Sequence, residues 1–366
     1  MSSEFGKLLK VQIFGESHGA AIGAVVDGFP CGEAVDLDAL NRFMQRRAGG
    51  KSFSTARKEA DEPKFLSGFR GDTLTGAPLA FIIENKNARP ADYSTLSNIP
   101  RPSHADYPAT VKYRGAVDLS GGGHFSGRLT APLCAVGGIA KQLLARRGIF
   151  VGAHIDSIAG IHDRRYDPLA VTREELELAA VREFPTLDET AGASMRDAIE
   201  AARIDCDSVG GAVECAVIGL PVGLGEPLYD GIENRLSSTI FGIGAVRGIE
   251  FGDGFAACSM RGSQHNDGYV LRDGKVGVAT NHAGGVLGGM TTGAPLIFRV
   301  GFKPTPSIAK PQRSVDLATG KEVELTIPGR HDPCIVPRAV PCVEATAACV
   351  LLDFILATEG MKNGTR

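Results

Sequence analysis

The chain has 366 residues, and 39 lysines and arginines against 42 aspartates and glutamates give a formal net charge of −3, which argues against bulk attraction to nucleic acid or an anionic membrane. With 43% hydrophobic and 22% charged residues it has the make-up of an ordinary globular protein; no apolar stretch reads as long enough to span a bilayer, and the N-terminal segment lacks the apolar run of a secretory signal. Eight scattered cysteines without a CxxC pair argue against a zinc site or any other metal and predict reduced thiols in or near the core of a cytosolic protein.

In chain order, the strand LLKVQI runs into the polar turn Phe14-Gly-Glu-Ser17-His18-Gly19. The segment AIGAVVDGFPCGEAVDLDALNRFMQRRAGG then reads as an apolar strand, a Gly-x-Pro turn and a helix whose apolar face is Leu37, Leu40 and Met44, stopped by Gly49 and Gly50. Arg46 and Arg47 fall in its last turn, where cations suit the helix dipole and a solvated end is expected. A β-rich run, LTGAPLAFIIENK (74–86), precedes the loop RPSHADYP (101–108), the glycine loop SGGGHFSGR (120–128) and an apolar helix.

A more charged segment, 160–207, follows. Thr172-Arg-Glu-Glu175 makes a capping box, and a second helix is expected over about Asp188–Arg203 before the turn DSVGG. The earlier order then recurs: AVECAVIGLP with its turn and helix, TTGAPLIFRVGFK (291–303), the loop KPTPSI, the turn PGRHDPC and an apolar helix. Five landmarks in the same order predict two pseudo-repeats, about 5–150 and 208–360, packed as one α+β domain. Segment 160–207 is expected to be a peripheral connection.

Four loops carry the chemistry-bearing side chains. His18 follows a glycine turn at a strand end, where an imidazole titrating near neutrality suits proton transfer; a satisfied core histidine fits the same pattern. His104 stands two residues from Asp106, a carboxylate able to hold the imidazole in one tautomer, although neighbours at i, i+2 need not touch. The loop from Ser120 to Arg128 offers backbone N–H groups at a helix start plus a guanidinium, an arrangement that suits an anion, although a tight structural turn reads alike. Arg330, His331 and Asp332 stand in a row before the last helix, at the position in repeat two that the glycine loop holds in repeat one. If the repeats pack about a pseudo-twofold axis, these loops converge on one cleft suited to a polyanion and acid–base chemistry.

Together the motifs resemble the chorismate synthase family. Gly15-Glu-Ser-His18-Gly19 with VVDGFP, Ser126-Gly-Arg128-Leu-Thr130, and Arg330-His-Asp332-Pro-Cys leading to Glu344-Ala-Thr match its three signatures, from about residue 5 to 358. The resemblance implies a β-α-β sandwich of two pseudo-symmetric repeats, usually a homotetramer. It also implies a 1,4-anti elimination of phosphate from 5-enolpyruvylshikimate 3-phosphate to chorismate, with reduced FMN and no net redox change. His18, His104 and Asp332 become the expected catalytic residues. Ser17, Arg47, Arg128 and Arg330 become substrate contacts. His124, Phe125, Ser126, Gly244, Ala245, Gly288, Lys303, Pro304, Thr305, Pro306, Ser307 and Arg330 become FMN contacts. His124 and Phe125 stand where many members have arginine and serine. The chain's length fits the monofunctional kind, which takes reduced flavin from an external reductant and does not oxidise NADPH itself.

Overall fold

Period-two burial shapes the first sheet. In the computed structural model, which describes residues 3–51, 53–54, 61–86, 98–327 and 332–362, five strands form it: β1 (Glu4–Phe5), β2 (Lys10–Gly15), β3 (Ala21–Asp27), β4 (Lys64–Ser67) and β5 (Leu79–Glu84). Along β5 the alternate residues Leu79, Phe81 and Ile83 are buried, as a strand with one face on a core requires. The order is β1-β2-β3-β5-β4, antiparallel throughout. Helices α1 (Leu37–Arg47), α2 (Asp106–Lys112) and α3 (Thr130–Arg146) complete this half.

The second sheet contains β6 (Phe150–Ile158), β7 (Ile161–His162), β8 (Gly211–Ile218), β9 (Val246–Phe251) and β10 (Leu296–Phe302). Its helices are α4 (Arg173–Val181), α5 (Glu189–Ile204), α6 (Ile232–Ile240), the single turn α7 (Gly262–His265) and α8 (Val336–Lys362). The strand order β7-β6-β8-β10-β9, again antiparallel, matches the first sheet in its last four positions; the edge strand differs, since β1 precedes β2 in the chain and β7 follows β6. By that match β6 is the counterpart of β2, so the second copy begins near residue 150, not 208. Segment 160–207 is an insertion within that copy.

Helices α1, α3, α6 and α8 lie between the sheets, with α3 against β2, β3 and β5, and α8 against β6 and β8. The architecture is α+β, a β-α-β sandwich. Contact between α3 and α8 is close because Gly137 has no side chain: a Cβ there would meet the Ala345 Cα at 2.3 Å. By length and composition Val336–Gly360 would cross a membrane, contrary to the reading that no segment is apolar enough, but 94% of its apolar window is buried inside the protein. It is the core helix.

The insertion is more than peripheral. Helix α4 covers the second sheet's outer face, where Leu176, Ala179 and Leu187 pack on Ala216 of β8, while Met195 and Ile199 of α5 join Cys215 and Val217 in the main core. With both faces covered, every residue from Val213 to Val217 is buried, Glu214 included. Two further expectations change. Cys134, Cys215, Cys334, Cys342 and Cys349 are buried thiols, but Cys31, Cys206 and Cys258 are exposed. Arg46 is not at a solvated helix end: it clamps the fully buried Glu344 of α8 with Nη2 to Oε1 at 2.6 Å and Nη1 to Oε2 at 2.9 Å. Lys141 shares that carboxylate. Burial pushes the Glu344 carboxyl up, but the two cations outweigh it and hold it down at about 2.

Candidate active site

The glycine loop is the centre around which the predicted residues gather. It folds as two short 3-10 turns, Ser120–Phe125 and Gly127–Leu129, and Gly121, Gly122 and Gly123 all have positive φ. A side chain at Gly121 would also lack room, and one at Gly122 would touch its neighbour. A Cβ on Gly121 would lie 2.0 Å from Cε1 of His18, and one on Gly122 would lie 3.4 Å from Cε1 and Nε2 of His104. The two imidazoles are therefore seated against successive residues of one loop, which only glycine permits.

The His18 turn is sewn to that loop. Ser17 N–H donates to the Gly123 carbonyl at 3.1 Å, its Oγ donates to the Ser120 carbonyl at 3.0 Å, and the same Oγ lies 3.1 Å from His18 Nδ1. His104 is held from the other side. Its Nδ1 lies 2.7 Å from Asp106 Oδ1, which makes Nδ1 the protonated nitrogen and turns Nε2 toward Gly122. Arg101 grips the same carboxylate through Nε and Nη2, both at 2.7 Å. Burial raises the Asp106 carboxyl, but the hydrogen bonds from Arg101 and His104 hold it well below the usual carboxylate range.

Arg128 follows the glycine loop and meets Arg47, from the last turn of α1, on a single carboxylate, Asp61. Arg47 also donates from Nε to Thr130 Oγ1 at 2.8 Å and from Nη2 to the Gly127 carbonyl at 3.0 Å. Arg338 connects this pair to Asp332, donating from Nε to the Arg47 carbonyl at 3.0 Å and from Nη1 to Asp332 Oδ2 at 2.5 Å. Asp332, from the loop of the second repeat, is thus joined through Arg338 to Arg47 of the first. Arg330 itself lies outside the described residues.

The remaining expected flavin contacts sort into three groups. Lys303 joins the His104 loop by donating from Nζ to the Ser103 carbonyl at 2.5 Å, and its N–H donates to the Ala245 carbonyl at 3.0 Å, which brings Gly244 and Ala245 alongside. Burial and then the neighbouring Arg247 pull its ammonium below the usual lysine value. Pro304, Thr305, Pro306 and the buried Ser307 continue from it, and Ser208 Oγ donates to the Thr305 carbonyl at 2.7 Å. Phe125 is 37% exposed, and the Ser126 hydroxyl accepts from Arg128 N at 3.3 Å. His124 is spent within the protein: Nδ1 lies 2.7 Å from the Gly15 carbonyl and Nε2 2.7 Å from Ser3 Oγ, so its ring ties down the N-terminal strand. Gly288 sits at the tip of the hairpin Val286–Leu287/Met290–Thr291, with nothing within 4 Å of a Cβ, and no hydrogen bond ties it to the group among the described residues.

Sequence reasoning missed Asp61, Asn85 and Arg338. Asn85, just past β5, donates from Nδ2 to the carbonyls of Glu16 (3.0 Å) and Gly19 (2.9 Å), and its Oδ1 accepts from Arg128 Nε at 3.2 Å. No local pattern marks these residues, because each acts on a partner distant in sequence. In the structure backbone strain marks one of the three: Asp61, with φ of 48°, and its site neighbours Ser103 and Ala245, with 59° and 70°, are three of the eight non-glycine residues with positive φ among those described. Such conformations cost about 1–3 kcal/mol each and cluster at functional sites.

With that geometry in place, three comparisons bear on the chain. A family profile described as chorismate synthase matches residues 9–356. A chorismate synthase of Thermococcus kodakarensis is 50% identical over 360 residues, covering 97% of this chain and 99% of that one. One from Lancefieldella parvula is 44% identical and covers 100% of this chain and 99% of its own. A solved structure titled as a crystal structure of chorismate synthase superposes with a TM-score of 0.75 at 26% identity, covering 97% of this chain and 94% of that one.

Proposed function

The chain belongs to the chorismate synthase family, and on that premise we propose that it eliminates phosphate from 5-enolpyruvylshikimate 3-phosphate in the 1,4-anti sense to give chorismate, with reduced FMN required and no net redox change. The observation that carries the reading is the seating of His18 and His104 against successive glycines of one loop, which runs directly into the arginine pair. An acid–base pair beside two guanidiniums suits a substrate that must lose a phosphate dianion while its carboxylates are held.

The residues present fit a flavin mononucleotide. Thr305 Oγ1 is buried without a hydrogen-bond partner among the described residues, a hydroxyl suited to a phosphate oxygen, and Lys303 stands two positions away. Phe125 offers an exposed ring, and Gly244 leaves open space. Lys303 to Ser307, Gly244, Ala245, Phe125 and Ser126 would hold the group, with His124 contributing main chain only. When bound, reduced FMN supplies electron density to the allylic system and a proton acceptor at its N5.

In this reading His18 gives a proton to the departing phosphate. His104, with Nδ1–H fixed by Asp106, serves as the proton donor toward the flavin from Nε2. Asp332, oriented by Arg338, assists proton transfer at the flavin N5. Arg47 and Arg128 organise the substrate's anionic groups, with Ser17 beside them. The reading extends to a cytoplasmic homotetramer with an external source of reduced flavin.

The test is anaerobic: protein, chemically reduced FMN and 5-enolpyruvylshikimate 3-phosphate, following chorismate and inorganic phosphate. Equal yields of both with the flavin still reduced are expected. Substrate and FMN binding without product would defeat the reading, and NADPH oxidation with FMN and no other protein would overturn the external-reductant part.

A further inference from the structure

The arginines expected to meet substrate do not stand free to choose their spacing. Arg47 comes from the end of α1 and Arg128 from the turn Gly127–Leu129, and both are more than nine-tenths buried. Asp61, 3% exposed, lies between them. Its Oδ2 accepts from Arg47 Nη1 at 2.6 Å and its Oδ1 accepts from Arg128 Nη1. Each carboxylate oxygen takes one guanidinium, so the carboxylate is a spacer bar and not a two-pronged clamp on either. Its φ of 48° shows a backbone held in a sparsely populated conformation to present that carboxylate.

We infer that Asp61 is the positioning residue of the substrate's anion site: it sets the separation and tilt of the Arg47 and Arg128 forks. The inference rests on the proposed reading of those two arginines. Two guanidiniums side by side repel each other, and a carboxylate shared between them offsets the repulsion and fixes both planes. The other contacts described for the pair are one-sided. Thr130 and Gly127 hold Arg47 alone, and Asn85 holds Arg128 alone. Of these contacts, the one through Asp61 is shared by both. Two arginines from separate elements, placed to about an ångström, distinguish a phosphorylated polycarboxylate from inorganic phosphate, since displacement on that scale is enough to cost roughly 10²-fold in an enzyme site.

The experiment measures binding apart from turnover. The protein is loaded with oxidised FMN, which supports no elimination, and 5-enolpyruvylshikimate 3-phosphate is titrated in by calorimetry, for the wild type and for D61N and D61E. D61E keeps the charge and lengthens the side chain by one methylene. Both variants are expected to bind substrate at least roughly tenfold more weakly, with FMN affinity close to wild type. D61E keeps the thermal midpoint near wild type, while D61N, which leaves two buried guanidiniums without their shared carboxylate, lowers it. In the reduced-flavin assay KM should rise far more than kcat falls. Wild-type affinity in D61E alongside weak D61N would mean that charge alone matters and would overturn the positioning role. So would wild-type affinity in both. If D61N does not fold, D61E decides the matter by itself. A wild-type protein that yields no chorismate would defeat the functional reading; a wild type that turns over, with Asp61 variants that bind normally, would defeat this inference alone.

Discussion

Two histidines of this protein each lean on carboxylates, and they do opposite things. His104 has one, Asp106, whose charge is already shared with Arg101; its side chain is 16% exposed and its second nitrogen faces the glycine loop. His154, in the middle of β6, has two. Nδ1 lies 2.9 Å from Asp163 Oδ2 and Nε2 lies 2.9 Å from Glu214 Oε2, with no exposure at all. Burial pulls the His154 imidazole down, but the two carboxylates outweigh it and lift it to about 9. An imidazole bonded at both nitrogens to carboxylates is a fixed cation with no position left for a ligand. One bonded at a single nitrogen has its tautomer set and the other nitrogen available. Histidine plus aspartate is thus not enough to identify a site; what the second nitrogen faces decides it.

The sharpest way to break this comparison is to remove each ring. His104→Ala should lower the anaerobic turnover of 5-enolpyruvylshikimate 3-phosphate roughly 10²–10⁴-fold, the usual scale for a general acid, while the thermal midpoint barely moves. Turnover near wild type would take His104 out of the chemistry. His154→Ala should do the reverse. It leaves Asp163 and Glu214 facing each other without a cation, an arrangement that costs about 3–5 kcal/mol, and denaturant unfolding should show that loss. Activity per folded molecule should be unchanged. A stable His154→Ala protein would mean that water or neighbouring N–H groups already satisfy the two carboxylates.

The same cluster predicts a pH dependence. His154 is lifted from 6.5 to about 9 in the folded state, so folding favours its protonated form. That contribution is complete below the unfolded value near 6.5 and is lost as pH rises through about 9. Its size is of order 3 kcal/mol at 1.36 kcal/mol per unit. Asp163 is shifted down by the same contact, so the two shifts are one effect and do not add. Urea unfolding at about pH 6 and about pH 9 should show the loss in the wild type and a much weaker slope in His154→Ala. Equal slopes in the two proteins would assign the pH dependence to other groups.

What the sequence made legible is what it writes locally. The Thr172–Glu175 capping box, the helix beginning at about Asp188 and the face of Leu40 and Met44 in α1 all stand where spacing put them. The motifs around His18, His104 and Ser126–Arg128 are short and local, and the structure brings them onto one loop. Pairings across the chain are different in kind. Arg46 looked like a solvated cation because its partner, Glu344, is 298 residues away. Asp61 carried no signal, since a lone aspartate before Glu-Pro looks like any loop residue. The strand Phe150–Ile158 was missed as the start of the second copy because an insertion separates it from β8, its neighbour in the sheet. His124 looked like a ligand contact because its bond to Ser3 is equally remote.

The smallest expected effect tests where the site ends. Segment 160–207 reaches the sandwich through the His154 cluster, where Asp163 also accepts from the N–H groups of Leu187 (2.5 Å) and Asp188 (2.8 Å), and through Phe184, which meets Phe53 edge-on at 5.0 Å. Phe53 is six residues past Arg47, so a path to the arginines exists. In the capping box of α4, Thr172 Oγ1 accepts from Glu175 N at 3.2 Å, and both residues are at the surface. Thr172→Ala should cost about 1 kcal/mol, the usual loss for an N-cap, by loosening the helix that places Leu176 and Ala179 on the second sheet. If the segment acts on that sheet alone, chorismate formation and substrate affinity stay at wild-type values while stability falls. A rise in substrate KM at unchanged kcat would mean that the Phe184–Phe53 contact carries the disturbance to the arginine pair, and the boundary between scaffold and site would then run through α4.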